Sequence, residues 1–157
     1  MNKDFNKSEL LVSGDFTEDE LKELEKVLAD KDIEVAKYFV KTFEAEEIIR
    51  ILFRDFNAYQ FLRDGVLFEL LMFAFTKGVS WIKGKKPKAK ISTGIELRFK
   101  TNNKEVPVNI GVPSDNKKFW PQLEKTLTVD FVDCLKEDEI VNIYWEAKED
   151  KVNITKM

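Results

Sequence analysis

Hydrophobic positions change their spacing several times along the chain, and each change predicts a different element. Residues 8–13 contain three consecutive aliphatic side chains and predict a short strand. Thr17 and Glu20 have the spacing of a capping box, so we expect a helix that begins there and ends near Asp30. Residues 33–40 are rich in β-branched and aromatic side chains and predict a second strand. These elements predict a β-α-β unit with parallel strands.

Two helices are expected next. In residues 44–63 the apolar side chains share one broad face at 100° per residue, with charged side chains opposite, and Gly65 has the position of a helix C-terminal cap. Residues 66–81 are apolar nearly all round, which predicts a helix that is buried on most sides. We therefore expect a long helix pair in which the second, apolar helix is central.

The spacing of apolar positions changes to two from residue 91 onward. Residues 91–99 and 106–112 alternate on either side of a polar turn at 101–104, which predicts a β-hairpin. Pro107 lies on the outer face of the second strand and cannot donate to a ladder, so we expect this strand to be an edge.

The C-terminal third contains one ambiguous segment. Residues 122–135 fit both a helix and a strand; a helix is favoured because Pro121 suits a helix start, and the strand stays open. Residues 141–147 and 152–154 alternate and predict a second hairpin. The expected fold is therefore α+β, a single domain over residues 1–157, in which a mostly antiparallel sheet packs on the helix pair.

The composition limits the chemistry. The 157 residues are 43% hydrophobic and 12% aromatic, which is typical of a globular protein, and they include no His and one Cys. Nucleophiles of the Ser-His or Cys-His type need an imidazole, and zinc sites need His or several Cys. We expect no catalytic motif, no metal and no cofactor, although an enzyme that uses only carboxylate, Lys, Arg or Tyr groups stays open.

Three features bear on location. Cys134 has no partner for a disulfide, which favours a reducing compartment. Residues 1–9 contain no apolar stretch of the kind that a signal peptide has. The most apolar stretch, residues 66–82, is interrupted by Glu69 and Lys77 and is shorter than a bilayer requires. We expect a cytoplasmic protein with no membrane span.

Charge is unevenly distributed, although the net charge is only −3. Residues 77–104 carry nine Lys or Arg side chains and one acidic residue, Glu96. The candidates for an anion-binding surface are Lys83, Lys85, Lys86, Lys88, Lys90, Arg98 and Lys100. Such a surface suits nucleic acid or anionic headgroups. The alternative is a solubilising loop whose lysines protect strand edges, and the lack of aromatic residues between Lys83 and Lys90 favours it over single-strand binding.

Aromatic residues outside the apolar faces are candidates for an interface. Phe61 falls on the charged side of its predicted helix, and Phe119 and Trp120 lie beside a charged loop. Exposed aromatic side chains are common anchors of protein interfaces, so we expect a protein partner or a homodimer.

The sequence favours a small non-catalytic protein-interaction or regulatory module, for example a partner-neutralising or accessory subunit. The alternative is a nucleic-acid or anionic-surface binder that uses the basic residues 83–104.

Overall fold

A computed structural model describes residues 8–37, 48–101, 104–113 and 117–157. Within these ranges the strands form one seven-stranded sheet. The strands are β1 (Ser8–Val12), β2 (Ile33–Lys37), β3 (Ile48–Asp55), β4 (Lys90–Lys100), β5 (Glu105–Val112), β6 (Val141–Glu146) and β7 (Lys151–Lys156). The helices are α1 (Glu18–Val27), α2 (Ala58–Arg63), α3 (Leu67–Lys85), α4 (Phe119–Thr126) and α5 (Val129–Asp133), and a 3-10 turn at Ala29–Lys31 precedes β2.

The sheet is mixed, with the strand order β2-β1-β3-β4-β5-β6-β7. Three neighbouring pairs are parallel, namely β1 with β2, β3 with β4 and β5 with β6, and the other three are antiparallel. The expectation of a mostly antiparallel sheet is therefore wrong, because each parallel pair is joined by a helical crossover that returns the chain in the same direction. The N-terminal β-α-β unit and both C-terminal hairpins are confirmed.

The helix expected over residues 44–63 is wrong. Residues 44–47 lie outside the described ranges, and the rest forms β3 followed by the short helix α2. Every second side chain of β3 is buried, namely Ile49, Ile51, Phe53 and Asp55. The same segment also satisfies helical spacing, but its β-branched residues favour a strand and the neighbouring strands complete the ladder. A strand therefore replaces one member of the expected helix pair.

The apolar helix is confirmed as α3 and runs on to Lys85. Gly78 faces the sheet, where an added Cβ would lie 3.3 Å from Leu10 Cδ2 and 3.7 Å from Ile51 Cδ1, so α3 crosses close above β1 and β3. The expectation that α3 is buried on most sides is wrong for its outer face, where Met72 is 46% exposed. Within the described residues, no helix is long and apolar enough to cross a membrane.

The position of β5 also differs from the expectation. It lies between β4 and β6 and is not an edge. Its ladder with β6 contains only the three pairs from Val108 to Ile110, so Pro107 lies just outside that ladder. The backbone N–H that proline lacks is therefore not needed for pairing with β6.

The ambiguous segment 122–135 is helical, in two short pieces. Thr128 begins α5, and its Oγ1 accepts a hydrogen bond from Phe131 N at 3.2 Å. A threonine that caps a new helix in this way lets the chain turn between α4 and α5.

The described helices pack on one face of the sheet, and the buried side chains form one hydrophobic cluster between the two layers. The other face carries a row of polar residues that runs across all seven strands. In strand order the row is Glu34, Glu9, Arg54, Glu96, Asn109, Asn142 and Thr155. Arg54 lies between the carboxylates of Glu9 and Glu96, each of which has an oxygen 3.9 Å from a guanidinium nitrogen.

Both edge strands of the sheet have backbone N–H groups that side chains occupy. On β2, Val35 N donates to Glu25 Oε2 at 3.0 Å. On β7, Val152 N donates to Gln122 Oε1 at 2.9 Å, and Ile154 N donates to Asn153 Oδ1 at 3.0 Å. These three donors are therefore not available to an added strand. Residues 38–40, the end of the second predicted strand, lie outside the described part, as do 102 and 103 in the predicted hairpin turn.

Candidate binding groove

Five of the anion-binding candidates lie together at the end of the molecule where α3 leads into β4. Lys83 and Lys85 are in the last turn of α3, Lys86 and Lys88 lie in the connection, and Lys90 begins β4. Lys85 Nζ is 3.2 Å from Glu23 Oε2, and Lys86 Nζ lies 5.4 Å from the centroid of the Phe16 ring. These two lysines therefore hold the end of α3 against α1 and the loop before it.

Arg98 and Lys100 lie near the opposite end of β4. A strand rises about 3.3 Å per residue, so the backbone of Lys100 is roughly 33 Å from that of Lys90. Arg98 Nη1 is 3.2 Å from Glu105 Oε1, and its guanidinium lies 5.9 Å from the Phe56 ring centroid. The structure therefore does not bring Arg98 and Lys100 together with the lysines of residues 83–90.

The three interface candidates differ in exposure. The expectation of an exposed side chain is wrong for Phe119, which is fully buried and packs edge-on against Trp120 and Trp145, with ring centroids 5.3 and 6.5 Å away. Its position at the start of α4 directs it toward the sheet. Phe61 and Trp120 are half-buried.

Lys83, Lys90 and Trp120 line the same cavity, a groove of about 560 Å³ between α3 and α4 that we call the α3–α4 groove. From the sequence, the two lysines are candidates for an anion-binding surface and the tryptophan is a candidate for a protein interface. The groove is lined by Phe75, Thr76, Val79, Lys83, Ala89, Lys90, Ile91, Thr93, Val112, Pro113 and Trp120.

Each side of the α3–α4 groove comes from a different element. Val79 and Lys83 are one helical turn apart on α3, so they lie on the same side of that helix. Thr93 and Val112 are paired across β4 and β5 and form the floor. Thr93 Oγ1 donates to Val112 O at 3.0 Å, so the hydroxyl on the floor is already bonded and the floor is largely apolar. Trp120 closes the far side, with its ring centroid 6.0 Å from that of Phe75.

The groove is electrostatically one-sided. Lys83 and Lys90 supply positive charge at its rim, and none of the described residues that line it is acidic. An apolar floor with two lysines at its rim can take up aliphatic or aromatic side chains together with a carboxylate.

The groups with shifted pKa values lie elsewhere. The described residues that show a shift are Glu20, Asp55, Tyr59 and Lys151, which lie outside the groove. No cluster of three or more metal-ligating side chains occurs among the described residues either.

One buried carboxyl group stands out away from the groove. Asp55, at the end of β3, is fully buried and accepts hydrogen bonds from Ser8 Oγ at 2.9 Å and from Asn57 N at 2.6 Å. Removal from water raises the pKa of Asp55, and these two hydrogen bonds oppose the rise only in part. Both partners belong to neighbouring backbone segments, so Asp55 ties β1 to the start of α2.

Sequence reasoning missed most of the groove. The sequence predicts a buried helix that contains Phe75 and Val79 and a β-hairpin that contains Ile91, Thr93 and Val112, but it does not predict that these residues line a groove. These residues line a groove because α3 and α4 are far enough apart to leave space between them, and no local sequence pattern predicts that distance. The i,i+4 spacing of Val79 and Lys83, an apolar side chain beside a cation, was the available signal.

No family model, no curated protein and no solved structure matches this chain.

Proposed function

We propose that this protein is a non-catalytic protein-interaction module that binds an apolar, acidic segment of a partner protein in the α3–α4 groove. The observation that carries the proposal is the convergence of Lys83, Lys90 and Trp120 on one cavity with an apolar floor.

The apolar part of the groove supplies the larger share of the expected binding energy. Trp120 is half-buried and packs against Phe75, so one side of the indole is held in place while the other lines the cavity. Aromatic side chains fixed in this way are the usual anchors of protein interfaces, since binding removes further apolar area from water without ordering a mobile side chain.

The charge of the groove favours an acidic partner. The chain has a formal net charge of −3, yet the described lining of the groove has only cationic charged residues. A carboxylate that approaches Lys83 and Lys90 is attracted, whereas a basic segment is repelled, so charge contributes to the selection of the partner and to the rate of association.

A nucleic acid or another anionic surface is the alternative occupant of the basic residues. It is less favoured for two reasons. Lys85 and Arg98 are paired with Glu23 and Glu105, and Arg98 and Lys100 lie at the far end of β4 from Lys83 and Lys90. A backbone-binding surface needs several cations along one track, and here Arg98 and Lys100 are separated from the other five candidates by most of the length of β4.

Site-specific photo-crosslinking in the cells that produce the protein tests the proposal. A photoreactive amino acid at Val79 reports on the groove, and the same amino acid at Asn109, an exposed position on the opposite face of the sheet, is the control. We expect a crosslink to another protein from position 79 and not from position 109, at a segment that contains Asp or Glu. The crosslink should weaken when Lys83 and Lys90 are both changed to Glu.

Three outcomes contradict the proposal. They are a crosslink to nucleic acid, a crosslink only to a second copy of this chain, and equal crosslinking from positions 79 and 109.

A further inference from the structure

We infer that the partner segment binds in the α3–α4 groove as an amphipathic helix, with its apolar side chains on the groove floor and a carboxylate between Lys83 and Lys90. This inference rests on the proposed function and specifies the form of the ligand. The alternative form is an extended peptide that adds a strand to the sheet.

Strand addition is disfavoured at both described edges of the sheet. An added strand needs free backbone donors along an edge. On β2 the N–H of Val35 is bonded to Glu25, and on β7 the N–H groups of Val152 and Ile154 are bonded to Gln122 and Asn153. A peptide that paired with either edge would first have to displace these side chains.

The groove itself offers a ligand side chains rather than ladder partners. Its floor residues Thr93 and Val112 are paired with each other between β4 and β5, and Ile91 is paired with Ile49 of β3. An extended peptide in the groove would leave most of its own N–H and C=O groups without protein partners, which is costly once water is excluded. A helix satisfies its backbone groups internally and presents only side chains, so it matches this lining.

The size and charge of the groove agree with one face of a helix. A cavity of about 560 Å³ accommodates a few side chains from an apolar stripe, and two walls made by helices resemble the grooves into which such stripes pack. Lys83 and Lys90 lie on different elements at the rim, so an acidic side chain of the ligand is attracted to their part of the groove, which fixes the direction of the bound helix.

Selection from two display libraries tests the inference with the full chain as target. One library presents randomised positions on a stable helical scaffold, and the other presents unstructured random peptides of the same length. Binders are then measured by fluorescence anisotropy against the wild type, against the double variant Lys83→Glu/Lys90→Glu, and against the control double variant Lys77→Glu/Lys88→Glu. The control changes two other exposed lysines of α3 and the following loop, neither of which lines the groove.

We expect helical binders enriched in Asp or Glu. Their affinity should fall at least about tenfold for Lys83→Glu/Lys90→Glu and less than about twofold for the control. A binder whose acidic residue is changed to Lys should have a higher affinity for the variant Lys83→Glu/Lys90→Glu than for the wild-type protein. Urea denaturation of all three proteins verifies that the substitutions leave the fold intact.

Groove-dependent binders from the unstructured library alone would overturn the helical form and leave the proposed function standing. If neither library gives a binder that is sensitive to Lys83→Glu/Lys90→Glu, the inference is also overturned. The photo-crosslinking experiment then decides separately whether the groove binds a partner protein at all.

Discussion

The side-chain amide of Gln122 joins α4 to the edge strand β7. Gln122 Oε1 accepts a hydrogen bond from Val152 N at 2.9 Å, and Gln122 Nε2 donates to Asp150 O at 3.4 Å. Lys118 strengthens the same junction through an ion pair of 2.5 Å with Asp150. The helix that carries Trp120 is thus held by the edge strand that it protects.

Removal of this amide should weaken the fold and expose the edge. We expect Gln122→Ala to lower the free energy of unfolding by about 1 kcal/mol, because Val152 N loses its acceptor. We also expect weak self-association, because a bare edge strand is a template for another chain. Urea denaturation and sedimentation velocity measure the two effects. Gln60→Ala is the matched control. The Gln60 amide bonds the exposed side chains of Arg63 and Asp64 and no strand backbone, so we expect a loss of less than about 0.5 kcal/mol and no self-association.

The buried carboxyl group of Asp55 should make the free energy of unfolding depend on pH. Its pKa is raised in the folded state because burial penalises the charged form. Between its ordinary pKa near 3.8 and the raised folded value, the folded protein holds a proton that the unfolded chain has released. This group therefore contributes stability at acidic pH, and the contribution is lost as the pH rises through the folded pKa.

Asp55→Asn should remove that dependence. The amide oxygen can still accept from Asn57 N, and the amide nitrogen can donate to Ser8 Oγ. We expect the variant to gain stability relative to the wild type as the pH rises from about 4 to 7 in urea denaturation. Asp30→Asn, at an exposed position, serves as the control, and parallel profiles for wild type and Asp55→Asn would contradict the prediction.

Lys104 has a structural role that its place in a polar turn does not suggest. Its Nζ donates to Val132 O at 3.1 Å, to Asp133 O at 2.8 Å and also to Leu135 O, which are carbonyl groups at the C-terminal end of α5. A cation at this end is favourable because the terminal carbonyls have no partners within the helix. We expect Lys104→Met to cost about 1–3 kcal/mol of unfolding free energy, and Lys100→Met less than about 0.5 kcal/mol. Equal losses in thermal or urea denaturation would refute this role.

Two glycines should respond in opposite directions to alanine. Gly14 has a φ of +118°, and a Cβ there would lie 3.0 Å from Phe16 Cε2. Gly84 is in the last turn of α3 with no atom within 4 Å of the position of an added Cβ. We expect Gly14→Ala to destabilise the fold by about 1–3 kcal/mol and Gly84→Ala to stabilise it by about 0.5–1 kcal/mol. Differential scanning calorimetry distinguishes the two signs directly.

The sequence predicted best those elements whose signals are local. The capping box at Thr17, the apolar helix α3 and both hairpins depend on spacings within one segment, and all are confirmed. The segment from Ile48 to Asp55 failed because its apolar residues satisfy both periods. The ladders with β1 and β4 decide in favour of a strand, and they are contacts between residues distant in the sequence.

The candidate site was predictable only in part, for a related reason. Charge and aromaticity marked Lys83, Lys90 and Trp120, which line the groove, but they also marked Arg98 and Phe119, which do not. Arg98 is separated from the groove by most of the length of β4. The side chain of Phe119 is fully buried, although that of its neighbour Trp120 lines the groove. The orientation of a side chain and its distance from the groove depend on how the helices pack on the sheet, and composition does not predict that packing.

The order of strands in the sheet has a consequence for synthesis on the ribosome. Apart from the β1–β3 pair, every ladder joins strands that are consecutive in the chain. A chain that emerges from its N-terminus therefore meets each new partner strand soon after it is made, and loop closure stays inexpensive at every step. The sheet can grow vectorially from β3 toward β7, and β7 emerges after α4, the helix that bonds to its edge.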